Sequence, residues 1–371
     1  MLNEAMVLEL KWWLKKYYPP FVYSPMGAFS MKGVPVFIFH SVEPARFEDQ
    51  LKFLSGNGYH TPSIGEFYEY ISGKLALPPR SALLTFDDGD ITLYDTAYPL
   101  LRKYGLRAVC FICPGLISGE KRENTGSPFA VWDEITEMEK SGAVDFQSHT
   151  LNHERIFTGD KIVDFLNPSS FNEKLGLSMP VVRSGGGFSR LASSGSPLYE
   201  TDSRMSESLR YFDDEELRQR CVDYAARRGG GEFFSRRGWR RELYGFAGRV
   251  VKERRGGYFE DEARRRDEIL HSLSESKKLL GEKLGKSVAH MAYPWGCGGK
   301  TSVELSLKAG YLTNFWGPLK RARISLPGMD PYYIPRLKDD YLFRLPGRGR
   351  KSIAEIFGYK LARRAAGDDI Y

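Results

Sequence analysis

The chain has 371 residues, with 54 Lys plus Arg against 47 Asp plus Glu and a formal charge of +7. Hydrophobic residues make up 42% and charged residues 27%, a balance that excludes wholesale disorder and leaves ample chain for a core. No run approaches the roughly 18 apolar residues of a spanning helix. Glu4 and Glu9 interrupt the region where a secretory leader would be apolar, so the expectation is a cytoplasmic protein.

Residues 1–30 mix Trp12, Trp13, Tyr17 and Tyr18 with lysines and end in prolines. Such a tract forms either a helix docked on the following domain or an amphipathic helix peripheral to the inner membrane face. From Gly33 the pattern predicts alternating strands and helices. Residues 34–39 read as a buried strand ending at His40, and 46–57 as a helix with Phe47, Leu51 and Leu54 on one face. Ser63 with Glu66 forms a capping box for the next helix. Residues 81–86 are a second buried strand running into Asp87-Asp88-Gly89; 97–104 are helical and 108–112 a third strand. A helix over 132–141 and a strand over 143–147 lead to Ser148-His149. Far downstream, 274–284 and 302–309 read as helices flanking a strand at 288–292. This alternation predicts a parallel sheet, open or closed into a barrel. Cys110 and Cys113 form a C-x-x-C on a β-prone segment, where i and i+3 point to opposite faces, so buried structural thiols are expected.

The polar residues fall at strand ends. His40, Asp87-Asp88 and His149 each follow a buried strand at its C-terminal end, where parallel α/β folds gather ligands and catalytic groups. Two adjacent carboxylates repel unless a cation or a proton lies between them. His149 and His153 are spaced i, i+4, which on a helical turn brings both imidazoles to one face. One carboxylate with two imidazoles makes a catalytic metal shell with positions open for water and substrate.

Thr85-Phe86-Asp87-Asp88-Gly89 followed by Ser148-His149-Thr150-Leu151-Asn152-His153 resembles the first two motifs of the polysaccharide deacetylase family, carbohydrate esterase family 4. The resemblance implies a distorted (β/α) barrel and metal-dependent hydrolysis of the N-acetyl group of an amino sugar, a non-peptide carbon–nitrogen bond. It implies Asp88, His149 and His153 as ligands of a divalent metal, usually zinc, and Asp87 as general base. Tyr293-Pro294-Trp295-Gly296 resembles the third motif, which makes Tyr293 and Trp295 candidate substrate contacts and the motif a source of a backbone N–H for the oxyanion. Two departures stand out. The third motif lacks the arginine that pairs with the base in many members, and no histidine follows His290 to act as the late general acid. His40 resembles the acid of the permuted branch, supplied by an early strand; histidine suits that task by its near-neutral pKa. The implied partition is an N-terminal segment 1–30, barrel parts 31–154 and 274–345, a basic, mainly helical insertion 155–273 and a tail 346–371. A non-catalytic relative binding glycans or anionic lipids, and a metal-free C–N hydrolase on the same fold, stay open as alternatives.

The insertion interleaves arginine pairs such as Arg236-Arg237 and Arg240-Arg241 with Phe233, Phe234, Trp239 and Tyr244. Arginine suits bidentate phosphate recognition, so either salt-bridged helices or contact with an anionic partner is implied. No nucleic-acid-binding module is recognisable, and none is expected. A cytoplasmic deacetylase would meet a nucleotide- or lipid-linked N-acetylated amino-sugar precursor rather than a finished polysaccharide.

Overall fold

The computed structural model describes residues 12, 14–24, 31–122, 127–170, 176–253, 256–320 and 322–365. Trp13 and the Arg254-Arg255 pair lie outside them. The chain divides into two compact units: Met1–Asn152 with Ser272–Cys297 and Ser306–Tyr371, and His153–His271 with Gly298–Leu305.

In the first unit seven parallel strands form one curled sheet. They are β1 (Val36–Phe39), β2 (Leu83–Asp88), β3 (Ala108–Ile112), β4 (Val144–Ser148), β5 (His290–Ala292), β6 (Thr313–Phe315) and β7 (Leu337–Lys338). Their spatial order is β6-β5-β4-β3-β2-β1-β7. The short strands β6 and β7 carry no sequence pattern strong enough to announce them, yet they finish the sheet. Residues 331–338 do so in two halves. The N–H of Asn314 donates to the carbonyl of Pro331 at 3.0 Å and that of Trp316 to Ile334 at 2.8 Å, while Leu337 and Lys338 pair with Phe37 and Ile38 of β1. One segment therefore bonds both edges of the curled sheet, giving the expected (β/α) barrel.

Helices α1 (Pro44–Gly56), α2 (Ile64–Ile71), α3 (Tyr98–Tyr104) and α4 (Trp132–Lys140) cover the strands. The capping box of α2 is present: Ser63 Oγ accepts from the Glu66 N–H, and Glu66 Oε2 accepts from the Ser63 N–H at 2.7 Å. All six residues of β2 are buried, as a strand covered on both faces requires. Val36, Phe67, Leu83, Val109, Phe111, Phe315 and Ile334 meet in one core cluster. Each such large apolar side chain contributes about 1.5–3 kcal/mol on burial. Cys110 and Cys113 are free, buried thiols. In the N-terminal tract Leu14, Tyr18, Phe21 and Val22 are buried, and the one-turn helix Pro20–Tyr23 is held by Arg344, whose Nε donates to the Val22 carbonyl at 2.7 Å. Those contacts are those of a docked segment. Much of the expected tail is a helix, Ile353–Ala365.

The second unit holds the insertion, whose long helices lie in its second half. Between residues 155 and 212 it builds short antiparallel pairs: Arg155–Phe157 with Thr201–Ser203, Asp164–Phe165 with Pro197–Leu198, and Val181–Ser184 with Gly187–Arg190. Gly185 and Gly186 supply the positive φ angles of the two-residue hairpin turn, 58° and 87°, which is why glycine-rich sequence here makes a hairpin. The insertion's α-helices are α5 (Glu215–Arg227), α6 (Trp239–Glu253) and the start of α7 (Glu262–Leu284), whose residues from Ser272 on belong to the first unit. Phe165, Leu217, Cys221, Phe233, Trp239 and Leu243 form this unit's core. Several of its arginines are paired: Arg204 with Glu260, Arg218 with Asp213, Arg228 with Glu242 and Arg240 with Asp164. Among the described residues no helix is long and apolar enough to cross a membrane.

Candidate active site

Strand β2 delivers Asp87 and Asp88 to its C-terminal end, both buried. The chain then turns sharply. Asp88 has φ 70° and Gly89 φ 77°, and a Cβ on Gly89 would come within 2.8 Å of Ile112 Cγ2. Only glycine fits there. Asp87 is clamped by a residue that sequence reading did not single out. Arg336, fully buried, donates from Nη1 to Asp87 Oδ1 at 2.6 Å and from Nη2 to Oδ2 at 2.8 Å, and its Nε donates to the Trp316 carbonyl at 3.0 Å. The missing third-motif arginine is thus supplied from residues 331–338. Burial pushes the Asp87 pKa up, but Arg336, aided by His149 and His40, outweighs it and holds the carboxyl below its ordinary value.

His149 follows β4. Its Nδ1–H donates to the Ala292 carbonyl at 2.9 Å, which fixes the tautomer and leaves the Nε2 lone pair for a ligand. Nε2 lies 3.6 Å from both Asp87 Oδ2 and Asp88 Oδ1. Burial lowers its pKa, so the ring is neutral near pH 7 despite Asp87. The helical turn expected between His149 and His153 is absent. Thr150 and His153 have φ 69° and 50°, and the loop is tied down instead by Ser276, whose Oγ donates to the Thr150 carbonyl at 3.2 Å, and by the Gly115 N–H donating to the Leu151 carbonyl at 2.9 Å. Asp88, His149 and His153 nevertheless converge. Each is buried and offers one ligand atom, and these atoms lie within 4.8 Å of one another. One oxygen and two nitrogens, with a preset tautomer, fit a divalent cation such as zinc.

Among the described residues, those other than glycine with positive φ are Asp88, Thr150, His153 and Trp295. All four belong to the three motifs. Such conformations cost about 1–3 kcal/mol each and concentrate where geometry serves function.

His40 is half-buried at the end of β1. Burial, with Arg336 and His149 opposing the attraction of Asp87, pushes its pKa down to about 4. The ring is therefore neutral at pH 7, not poised near neutrality as expected for a resting acid. Tyr293 departs from its expected role. Its side chain is fully buried, its hydroxyl accepts from Asn314 Nδ2 at 2.8 Å, and its N–H is taken by the Phe315 carbonyl. Trp295 is half-buried in the left-handed turn after it. His290 is a core residue with Nδ1 2.8 Å from Thr313 Oγ1.

The profile of the family described as polysaccharide deacetylase matches residues 74–176. The chain is similar to poly-beta-1,6-N-acetyl-D-glucosamine N-deacetylase of Staphylococcus aureus strain MRSA252, 34% identical over 122 residues, which are 33% of this chain and 41% of the relative. For the enzyme of the same name from strain MSSA476 the figures are 36% over 111 residues, 30% of this chain and 37% of the relative. The matched stretch thus spans about two fifths of the length of these curated relatives. A solved de-N-acetylase from Aggregatibacter actinomycetemcomitans has the same fold, with a TM-score of 0.53 and 17% identity over 88% of this chain and 99% of that one. The stretch that carries the Asp87-Asp88 and His149–His153 motifs is thus similar to the polysaccharide deacetylase family, and the chain shares the fold of the solved de-N-acetylase.

Proposed function

We propose that the chain is a metal-dependent N-deacetylase that releases acetate from N-acetylated amino-sugar units of a glycan. The observation that carries this is the convergence of Asp88, His149 and His153 beside an Asp87 whose two oxygens are held by Arg336. A divalent cation on the three ligands, zinc by the donor set, supplies Lewis acidity toward the amide carbonyl and acidifies water. Asp87 stays ionised and takes the proton of the attacking water. Arg336 keeps that carboxylate pointed and charged. His40 is neutral at rest, so it serves as acid only after gaining a proton. The proton that Asp87 takes from the attacking water is the one we assign to His40 for delivery to the leaving nitrogen.

The relatives' names point to polymeric N-acetylglucosamine as substrate. The expectation of a nucleotide- or lipid-linked precursor rested on the cytoplasmic reading and on the insertion's arginines, of which Arg204, Arg210, Arg218, Arg228 and Arg240 are each engaged by a carboxylate. Metal content by mass spectrometry and acetate release from β-1,6-linked N-acetylglucosamine oligomers test the reading on the unmodified chain and His149→Ala. About one divalent ion per chain and acetate release, both lost in the variant, are expected. No metal in either protein after incubation with zinc would overturn it in favour of a glycan-binding relative or a metal-free hydrolase.

A further inference from the structure

The second unit carries an aromatic–arginine face that its ion pairs do not account for. The hairpin of Val181–Ser184 and Gly187–Arg190 leaves Phe188 47% exposed, and the pair of Tyr211–Phe212 with Tyr258–Phe259 leaves Tyr258 46% exposed. Between them lies Phe212, only 4% exposed, with ring centroids 6.3 Å from Phe188 and 5.1 Å from Tyr258. Phe212 and Tyr258 are register partners, so their rings share one face of the ribbon. The guanidinium of Arg183 stands 4.6 Å from the Phe212 ring and 5.8 Å from that of Tyr258, and Arg264 stands 4.7 Å from Phe212. Arg210, 5.2 Å from the Phe188 ring, is paired with Glu154, and Arg264 faces Glu268 at 3.5 Å. Arg183 is exposed, and no carboxylate among the described residues pairs with it. Two open rings and one open cation remain, and exposed apolar surface organised in this way marks an interaction site.

We infer that this face binds a glycan strand that is still N-acetylated and disfavours the deacetylated product. A pyranose lays its C–H face on an aromatic ring, and a guanidinium donates to hydroxyl and acetamide oxygens. Deacetylation turns the neutral acetamide into an amine that carries a proton near pH 7, and Arg183 repels that charge. A polyanion is a poorer fit, because phosphate tracking uses a run of available cations and, among the described residues of this face, Arg183 alone lacks a carboxylate partner. The choice of an acetylated strand rests on the N-deacetylase reading; the face itself does not.

The test uses the full chain stripped of divalent metal by chelation, so that the ligand is not consumed. Binding of fully acetylated and fully deacetylated β-1,6-linked glucosamine oligomers is measured by calorimetry, with a thermal melt for each variant. The acetylated oligomer is expected to bind about tenfold tighter, with Phe188→Ala and Tyr258→Ala each weakening it about five- to tenfold and Phe188→Tyr restoring it. Arg183→Glu should abolish the preference, and salt should shrink it. Folded variants that bind as the unmodified chain does would overturn the inference, as would tighter binding of single-stranded DNA or polyphosphate than of the acetylated oligomer. Acetate release by the metal-loaded chain is measured alongside. Release together with unaltered binding in the variants sinks this face alone. Weakened binding in the variants with no release from any oligomer supports the face and sinks the N-deacetylase reading.

Discussion

Two buried arginine–carboxylate pairs, one in each unit, are nearly identical in their own geometry and opposite in their surroundings. Arg336 grips Asp87 in the barrel; Arg204 grips Glu260 in the insertion, with Nη2 2.9 Å from Oε2. Around Glu260 the remaining hydrogen-bonding groups are backbone, the Arg210 N–H donating to Oε1 at 2.8 Å and the Arg265 carbonyl accepting from Arg204. Asp87 instead faces an imidazole at 3.6 Å and has a second carboxylate next in the chain. The arginine supplies permanence in both cases. What distinguishes a reactive carboxylate from a staple is the company of groups able to exchange protons or bind a cation.

The most severe way to probe this comparison is His149→Ala, which should remove the bound metal and lower acetate release by about a thousandfold or more, read by metal analysis and initial rates. Next is Arg336→Met. It leaves Asp87 buried without its counter-charge, so chemical denaturation should show a loss of about 3–5 kcal/mol. The sign for the pH profile follows from the same pair: Arg336 holds the Asp87 pKa down, so removing it raises that pKa, and the acid limb of kcat/KM should move to higher pH in Arg336→Lys, which keeps the charge and loses the fork. Glu260→Gln should cost about 3 kcal/mol by the same denaturation measurement yet leave kcat per folded chain unchanged. A fall in kcat there would break the distinction between staple and reactive pair.

A smaller effect belongs to His290, whose burial lowers its folded pKa to about 4 from an ordinary 6.5. Between those values the unfolded chain binds the proton and the folded chain does not. Stability is thus complete above about pH 6.5 and falls as pH drops toward 4, by at most about 3 kcal/mol, and His290→Gln should flatten that slope in a pH series of melts. The smallest effect is expected at Arg240. Its pair with Asp164 lies in solvent, and Arg240→Ala should leave Tm within the scatter of the measurement.

What could be read from sequence follows the range of each signal. Asp87 and Asp88 end the buried strand β2 and His149 follows β4, so local pattern located them, with His153 found by its spacing from His149, and the Ser63–Glu66 box set the start of α2 in the same way. The i, i+4 spacing of the two histidines was right about proximity and wrong about conformation. An extended loop with two left-handed residues brings them together as a helical turn would, because Ser276 and Gly115 bind its backbone. Arg336 escaped because its partner lies 249 residues away and the strand that it precedes, Leu337–Lys338, is two residues long. The available hint was an arginine set among apolar residues just before the sheet's last strand. Tyr293 was assigned outward by analogy, but the hydrogen bond from Asn314 and the edge contact with Trp316, centroids 4.6 Å apart, turn it inward.

Residues 331–338 have a temporal meaning as well as a spatial one. During synthesis the Asp87 carboxylate leaves the ribosome long before Arg336, and so does β1 before β7. Until that late segment arrives, the sheet has an open edge and its base has no counter-charge. Pairings of such long sequence separation form slowly, since the loop must close before the contact rewards it. The same short stretch seals the edge and brings Asp87 its counter-charge, so neither is in place until the fold is complete.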